Sequence, residues 1–304
     1  MLKLLFLGTS AARPTVERSV SALAVVREGE TLLFECGEGT QRQMMRYGVG
    51  FSLSDIFFSH FHGDHFLGVI GLVRTLGLQG RTDPMRCYGP KGAKRLLTSA
   101  LSLGVERVPF EVEIVELEAD SALHRGEYDI LTYAADHGGN ALGYVLVEKD
   151  RLGKFEPARA NEAGVPEGPL WGRLQRGEAV TLEDGRIVEP DAIVGAPRPG
   201  RKVVYSGDTR PCKATIEAAI GADVLVHEAT FSLEEADRAR ETDHSTAHEA
   251  AEVARMARAR RLVLTHVSAR YSRDAGPLLE EAQAVFAETV VARDGMEIEV
   301  GYRE

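Results

Sequence analysis

Short apolar runs alternate with stretches of helical periodicity along most of this 304-residue chain. Leu2 to Gly8, Leu23 to Arg27, Thr31 to Cys36, Asp55 to Ser59 and Met85 to Gly89 read as strands. Between them, apolar positions three and four apart predict helices over Phe66 to Leu78 and Lys91 to Leu103. Further strands are predicted at Tyr128 to Tyr133, Lys202 to Ser206, Asp223 to His227 and Arg261 to His266, with helices at Ala247 to Arg258 and Asp274 to Phe286. This order predicts an α/β layered protein.

Residues 151 to 202 break the rhythm with six prolines and eight glycines. Such punctuation predicts an extended arm or hairpin, with a disordered linker as the competing reading. The only tryptophan, Trp171, and the alternating Ala179-Val180-Thr181-Leu182 argue against the linker. The expectation is a single domain over 1–304 with an insertion at about 151–202. The insertion holds 9 Lys and Arg against 8 Asp and Glu, whereas the rest of the chain holds 27 against 38. A near-neutral arm on an acidic body is weakly suited to an anionic partner.

Composition narrows the class only a little. Hydrophobic residues at 44% and charged residues at 27% suit a globular enzyme. The apolar run Leu4-Leu5-Phe6-Leu7 is too short for a membrane span or a leader, so a cytoplasmic protein without membrane contact is expected. Cys36, Cys87 and Cys212 stand far apart and read as buried thiols rather than disulfides or a zinc ribbon. The net charge of -10 argues against a generally basic nucleic-acid-coating surface and leaves a local one open.

The chemistry concentrates in Ser59-His60-Phe61-His62-Gly63-Asp64-His65, directly after a strand. Imidazole and carboxylate are ligands that zinc accepts. One such loop can turn His60 and His62 toward one ion and Asp64 and His65 toward another, the competing readings being a single structural metal or surface histidines. More ligand types recur at later strand ends: Asp136-His137, Ser206-Gly207-Asp208 and Thr265-His266. The assignment is His60, His62 and His137 to one ion, Asp64, His65 and His266 to the other, and Asp208 between them. Ions so bridged would share a hydroxide of lowered proton affinity.

These residues resemble the metallo-β-lactamase superfamily and, within it, the ribonuclease Z family that matures tRNA 3′ ends. The resemblance spans nearly the whole chain. It includes Leu5-Phe6-Leu7-Gly8-Thr9-Ser10, Cys36-Gly37-Glu38-Gly39-Thr40-Gln41, Tyr88-Gly89-Pro90-Lys91-Gly92, His227-Glu228-Ala229-Thr230-Phe231 and His244-Ser245-Thr246. It implies a four-layer αβ/βα fold with a projecting arm, and a zinc-dependent endoribonuclease carrying two zinc ions, with manganese as another divalent ion the site could take. It further implies a homodimer acting on tRNA precursors to leave a tRNA 3′-OH and a trailer 5′-phosphate, the arm being the RNA-binding exosite. Lys154, Arg159, Arg173 and Arg176 are its candidate phosphate contacts. Glu35 stands where the family commonly has aspartate, a change expected to adjust hydrogen bonding behind the ligands and to touch none of them.

For catalysis, Asp64 would position or deprotonate water while serving as ligand, His244 would protonate the leaving oxygen, and Glu228 would orient His244. Thr246 with Glu249 forms a capping-box pattern that fixes His244 at a helix start. The alternatives are another hydrolase of the fold acting on small phosphodiesters or esters, against which the arm argues, and a non-catalytic RNA-binding protein with structural metals.

Overall fold

The computed structural model describes residues 1–105 and 107–303. The chain divides into two units, residues 1–147 with 202–301, and residues 148–201 with 302–304. The larger unit holds two seven-stranded sheets. The strands of the first are β1 (Leu2–Gly8), β2 (Ala22–Arg27), β3 (Glu30–Phe34), β4 (Leu53–Phe57), β5 (Met85–Gly89), β6 (Val112–Glu116) and the last strand of the chain, β16 (Glu297–Glu299). Those of the second are β7 (Ala122–His124), β8 (Tyr128–Ala134), β9 (Leu142–Glu148), β12 (Lys202–Tyr205), β13 (Val224–Glu228), β14 (Leu262–Thr265) and β15 (Thr289–Val291), while β10 (Val180–Thr181) and β11 (Ile187–Val188) form a separate hairpin. The sheet orders are β16-β1-β2-β3-β4-β5-β6 and β15-β14-β13-β12-β9-β8-β7.

Both faces of each sheet are covered, which is why the strands read as nearly continuous apolar runs. On β1, Leu2, Leu4 and Phe6 enter the core between the sheets, while Leu5 and Leu7 face the helices Val69–Leu78 and Ala93–Leu101. On β13, Val224 and Val226 point inward and Leu225 outward, toward Ala247–Met256 and Gly276–Gln283. The result is helix, sheet, sheet, helix. Because β12, β13 and β14 are parallel, their C-terminal ends share one edge.

The helix expected over Phe66 to Leu78 is interrupted. It forms as Gly63–Phe66 and Val69–Leu78, and Gly68 lies between them because a Cβ there would come within 1.9 Å of the Gly37 carbonyl oxygen. Gly68 N instead donates to Cys36 O at 2.9 Å, fixing the ligand loop to the end of β3. Cys36 and Cys87 are buried, and burial pushes the Cys87 thiol up to about 12; Cys212 is only half-buried.

The smaller unit is not an open hairpin. Ala160, Val165, Leu174, Val180, Leu182, Val188 and Ile193 form its own apolar cluster, with Phe155 and Trp171 packed against it. Two prolines are helix starts rather than breaks: Pro157 opens Pro157–Glu162 and Pro169 opens Pro169–Gln175, positions where a missing N–H costs nothing. At its root Glu148 and Arg201 make a buried ion pair, Nη2 to Oε1 at 2.6 Å, and the Tyr302 ring lies under the guanidinium groups of Arg151 (3.7 Å) and Arg201 (4.1 Å). Among the described residues no helix is long and apolar enough to cross a membrane.

Candidate metal centre and acid

Four strand ends deliver the polar cluster. His60 to His65 follow β4, His137 follows β8, Asp208 follows β12 and His266 follows β14. Backbone bonds from Arg210 N to Asp136 O (2.9 Å) and from Leu142 N to Ser59 O (2.9 Å) bring these loops together. Gly207, at φ 60, makes the sharp turn into Asp208, where a side chain would strike Ser59 Cβ at 2.5 Å.

The ligand atoms of His60, His62, His137 and Asp208 lie within 4.8 Å of one another, as do those of Asp64, His65 and His266. Asp208 Oδ2 reaches into both groups, at 3.6 Å from His60 Nε2, 3.3 Å from His65 Nε2 and 3.4 Å from His266 Nε2. His266 Nε2 is 3.3 Å from Asp64 Oδ2, and His137 Nε2 is 3.3 Å from His62 Nδ1. Ligands at about 2.1 Å from a tetrahedral ion are about 3.4 Å apart, so these spacings suit cation sites better than direct hydrogen bonds. His60 Nε2 is buried and has no hydrogen-bond partner, as expected of a nitrogen reserved for an ion.

The opposite ring nitrogens are held from behind. His60 Nδ1 meets Ser59 Oγ at 3.0 Å, His137 Nδ1 meets Asp243 O at 2.7 Å, and His65 Nδ1 faces Glu35 Oε1 at 3.6 Å. His266 is oriented through a relay: Thr230 Oγ1 gives its proton to Glu228 Oε2 at 2.8 Å, so it accepts from His266 Nδ1 at 2.8 Å and leaves Nε2 as a lone pair. Ser59, Thr230 and Asp243 were not legible as orienting residues in the sequence. Glu35 accepts from Ser59 N at 3.0 Å and faces His65 at 3.6 Å, so the departure from aspartate bears on the hydrogen bonding behind the cluster, as expected of it.

The electrostatics divide the donor set: burial pulls His65 down, but the Asp208 carboxylate overcomes it and pushes His65 well above the usual histidine range, a proton that a bound cation would displace. Burial, then the neighbouring His65, holds His60 well below the usual histidine range, and burial with His137 lowers His62, which favours the neutral imidazole in both. Burial would raise both Asp208 and Asp64, but the adjacent His266 and His65 prevail and keep both as carboxylates. Ala12 N adds a 2.7 Å bond to Asp64 Oδ2, an unforeseen contribution of the loop after β1.

His244 stands beside this cluster, its ring 4.9 Å from that of His137 and 5.2 Å from that of His266. With Asp208 and His266 it forms a third group of ligand-type atoms, yet its Nδ1 is 3.9 Å from Asp208 Oδ2 and only 2.7 Å from Glu228 Oε1. The pairing with Glu228 takes Nδ1 and leaves Nε2–H for another acceptor. Burial pulls the His244 pKa down, but the Glu228 carboxylate overcomes it and pushes the value up to about 9. Glu228 is fully buried and satisfied, with Thr209 N (3.0 Å) and Thr230 N (3.2 Å) completing its set. The capping box forms, Thr246 Oγ1 accepting from Glu249 N at 3.1 Å. His248 is half-buried and belongs to no metal-type group among the described residues.

The arm cations lie apart from this site in sequence and unit. Arg159 pairs with Glu156 at 2.9 Å, and Arg173 and Arg176 share Glu178 at 3.1 and 3.2 Å. Lys154 is exposed.

Comparison with known proteins places this architecture. Residues 192–267 match a model described as "Beta-lactamase superfamily domain", and residues 2–128 one described as "Anti-Pycsar protein Apyc1". The chain is 59% identical to a protein named Ribonuclease Z from Gemmatimonas aurantiaca, over 98% of this chain and 96% of that one. It is 56% identical to the Ribonuclease Z of Myxococcus xanthus, over 100% and 99%. Among solved structures it resembles the short form of human tRNase Z at TM-score 0.71 and 27% identity, covering 98% of this chain and 99% of that one.

Proposed function

As a member of the ribonuclease Z family, this chain is a hydrolytic endoribonuclease of tRNA 3′-end processing, and we propose that it works with two zinc ions and His244 as its acid. The observation that carries this reading is the convergence of His60, His62, His137, Asp64, His65 and His266 around Asp208, beside a histidine whose proton is held by Glu228. Bound at these two groups, divalent ions would supply a water of lowered proton affinity and neutralise the phosphoryl oxygens; all-imidazole and carboxylate donors suit zinc and admit manganese.

The residues of the chain do the rest. Asp208 spans both groups, which sets their separation. Asp64, held as a carboxylate and fixed by Ala12 N, positions the attacking water by accepting a hydrogen bond from it. His244 keeps its Nδ1 proton on Glu228 and presents Nε2–H to the departing 3′ oxygen, and a pKa of about 9 keeps it charged at neutral pH. The leaving tRNA gains a 3′-OH and the trailer keeps a 5′-phosphate.

The arm is proposed to bind the tRNA body, with Lys154, Arg159, Arg173 and Arg176 as phosphate contacts. Exposed ion pairs of the kind made by the three arginines are worth about 0–1 kcal/mol, so phosphate can displace the carboxylates at small cost. A homodimer in the cytoplasm completes the proposal. The test is incubation with a tRNA precursor of defined trailer and mapping of both new ends. A trailer released with a 5′-hydroxyl would overturn the mechanism.

A further inference from the structure

Two cavities adjoin the ligand cluster and share no lining residue. One, of about 510 Å³, is bordered by His244 together with Arg13, Phe231, Arg238 and Arg270. The other, of about 270 Å³, is bordered by His60, His62 and His137 on one side and by Lys91, Arg95 and Asn140 on the other. The direction of the reaction assigns them. His244 protonates the 3′ oxygen that leaves with the mature tRNA, so the nucleotide upstream of the scissile phosphate lies against the His244 cavity. The strand continues past the phosphate, and the second cavity is where it meets unspent positive charge.

Lys91 and Arg95 are four residues apart at the start of the helix Ala93–Leu101, and both line the same cavity. Both are exposed, and among the described residues neither has a carboxylate partner. The helix end offers no alternative anion site, because Gly92 N and Lys94 N both donate to Glu116 Oε1, at 2.9 and 3.0 Å. Two free cations facing a centre that cleaves a polyanion, in a chain of net charge -10, are placed for phosphate.

We propose that Lys91 and Arg95 are trailer-binding residues that hold the backbone phosphates immediately downstream of the cleavage point. This rests on the endonuclease reading above. It assigns the enzyme a preference for precursors whose trailer extends beyond a single nucleotide.

The experiment compares two transcripts of one tRNA, carrying a trailer of one nucleotide or of several, with wild type, Lys91→Ala, Arg95→Ala, the double variant and Lys91→Arg. A one-nucleotide trailer has no phosphate beyond the scissile one. Wild type should show a lower KM for the long trailer, a gain that shrinks in each alanine variant, disappears in the double variant and persists in Lys91→Arg. For the long trailer, the log–log dependence of kcat/KM on salt should flatten by about 0.7 for each contact removed, or about threefold over a fourfold change in salt. An undiminished trailer-length gain in the double variant would overturn the proposal, as would equal losses on both transcripts, which would put these cations on the tRNA body. If wild type cut neither transcript, the endonuclease reading itself would fall.

Discussion

Replacing Glu228 by glutamine keeps the shape of the side chain and removes its charge, which isolates what the carboxylate does for His244. Oε1 accepts from Thr209 N and His244 Nδ1, and Oε2 accepts from Thr230 N and Thr230 Oγ1. An amide has one accepting end. With its oxygen toward His244, its NH2 opposes the Thr230 N–H, leaving a buried donor unmet at a cost of about 1–3 kcal/mol in stability. The kinetic effect follows from the charge. Against burial, Glu228 and more weakly Asp208 raise His244 from 6.5 to about 9, so removing the Glu228 charge returns the acid toward 6.5. At about pH 7.5 an acid of pKa 6.5 is about one-tenth protonated, whereas at pKa 9 it is almost fully protonated. Turnover of the variant should therefore fall about tenfold at that pH and much less near pH 6, and the basic limb of the kcat/KM profile should move down by two or so pH units. The assay is cleavage of a tRNA precursor across pH at saturating zinc, with metal content measured on the same samples. An activity loss that is independent of pH, at full metal content, would refute the claim that Glu228 acts by holding the His244 proton.

Two further outcomes are expected. Elemental analysis of the purified protein should find close to two transition ions per chain, and His60→Ala, which removes a buried unpartnered Nε2, should lower that content together with activity; full occupancy in the variant would remove His60 from the ligand set. Deleting residues 153 to 195 with a short Gly/Ser linker should spare hydrolysis of a small chromogenic phosphodiester and collapse precursor cleavage, because remote binding energy positions the scissile phosphate. Precursor cleavage at near wild-type efficiency would withdraw the exosite role.

The parts of the site legible in the sequence were those set by residue type at short range. A histidine-rich loop after a strand announces itself in seven residues, and the strand-end positions of His137, Asp208 and His266 follow from the apolar run before each. The orienting shell was not legible because its partners are far apart in the chain: Thr230 reaches His266, and the His137 imidazole depends on a carbonyl at Asp243. The break at Leu67-Gly68 was hidden by an unbroken apolar period, and only the close approach of Gly37 reveals why it exists. In the smaller unit the helices are six and seven residues long, too short for periodicity to outweigh glycine and proline, so a folded core read as an extended arm.

In the proposed mechanism Glu228 would tie the acid and the metal ligands into one device. One of its oxygens holds the His244 proton, and the other takes the Thr230 proton and thereby fixes which His266 nitrogen is free. Two residues of the site sit on left-handed backbone: His266 at φ 55, and Glu35, behind His65, at φ 62. A left-handed conformation costs a residue with a side chain about 1–2 kcal/mol. That strain persists because the polar contacts over-determine it, with Glu35 N on Phe57 O at 2.8 Å and Thr230 Oγ1 against His266 Nδ1 at 2.8 Å. The consequence is that removing the Thr230 hydroxyl should affect both functions at once, loosening His266 and leaving Glu228 short of a donor, whereas removing Ser59 Oγ should affect only His60. Thr230→Val should therefore lower zinc affinity and also shift the basic limb of the pH profile, while Ser59→Ala lowers affinity alone. A Thr230→Val enzyme with altered metal binding and an unmoved limb would show that the acid and the metal ligands are held independently.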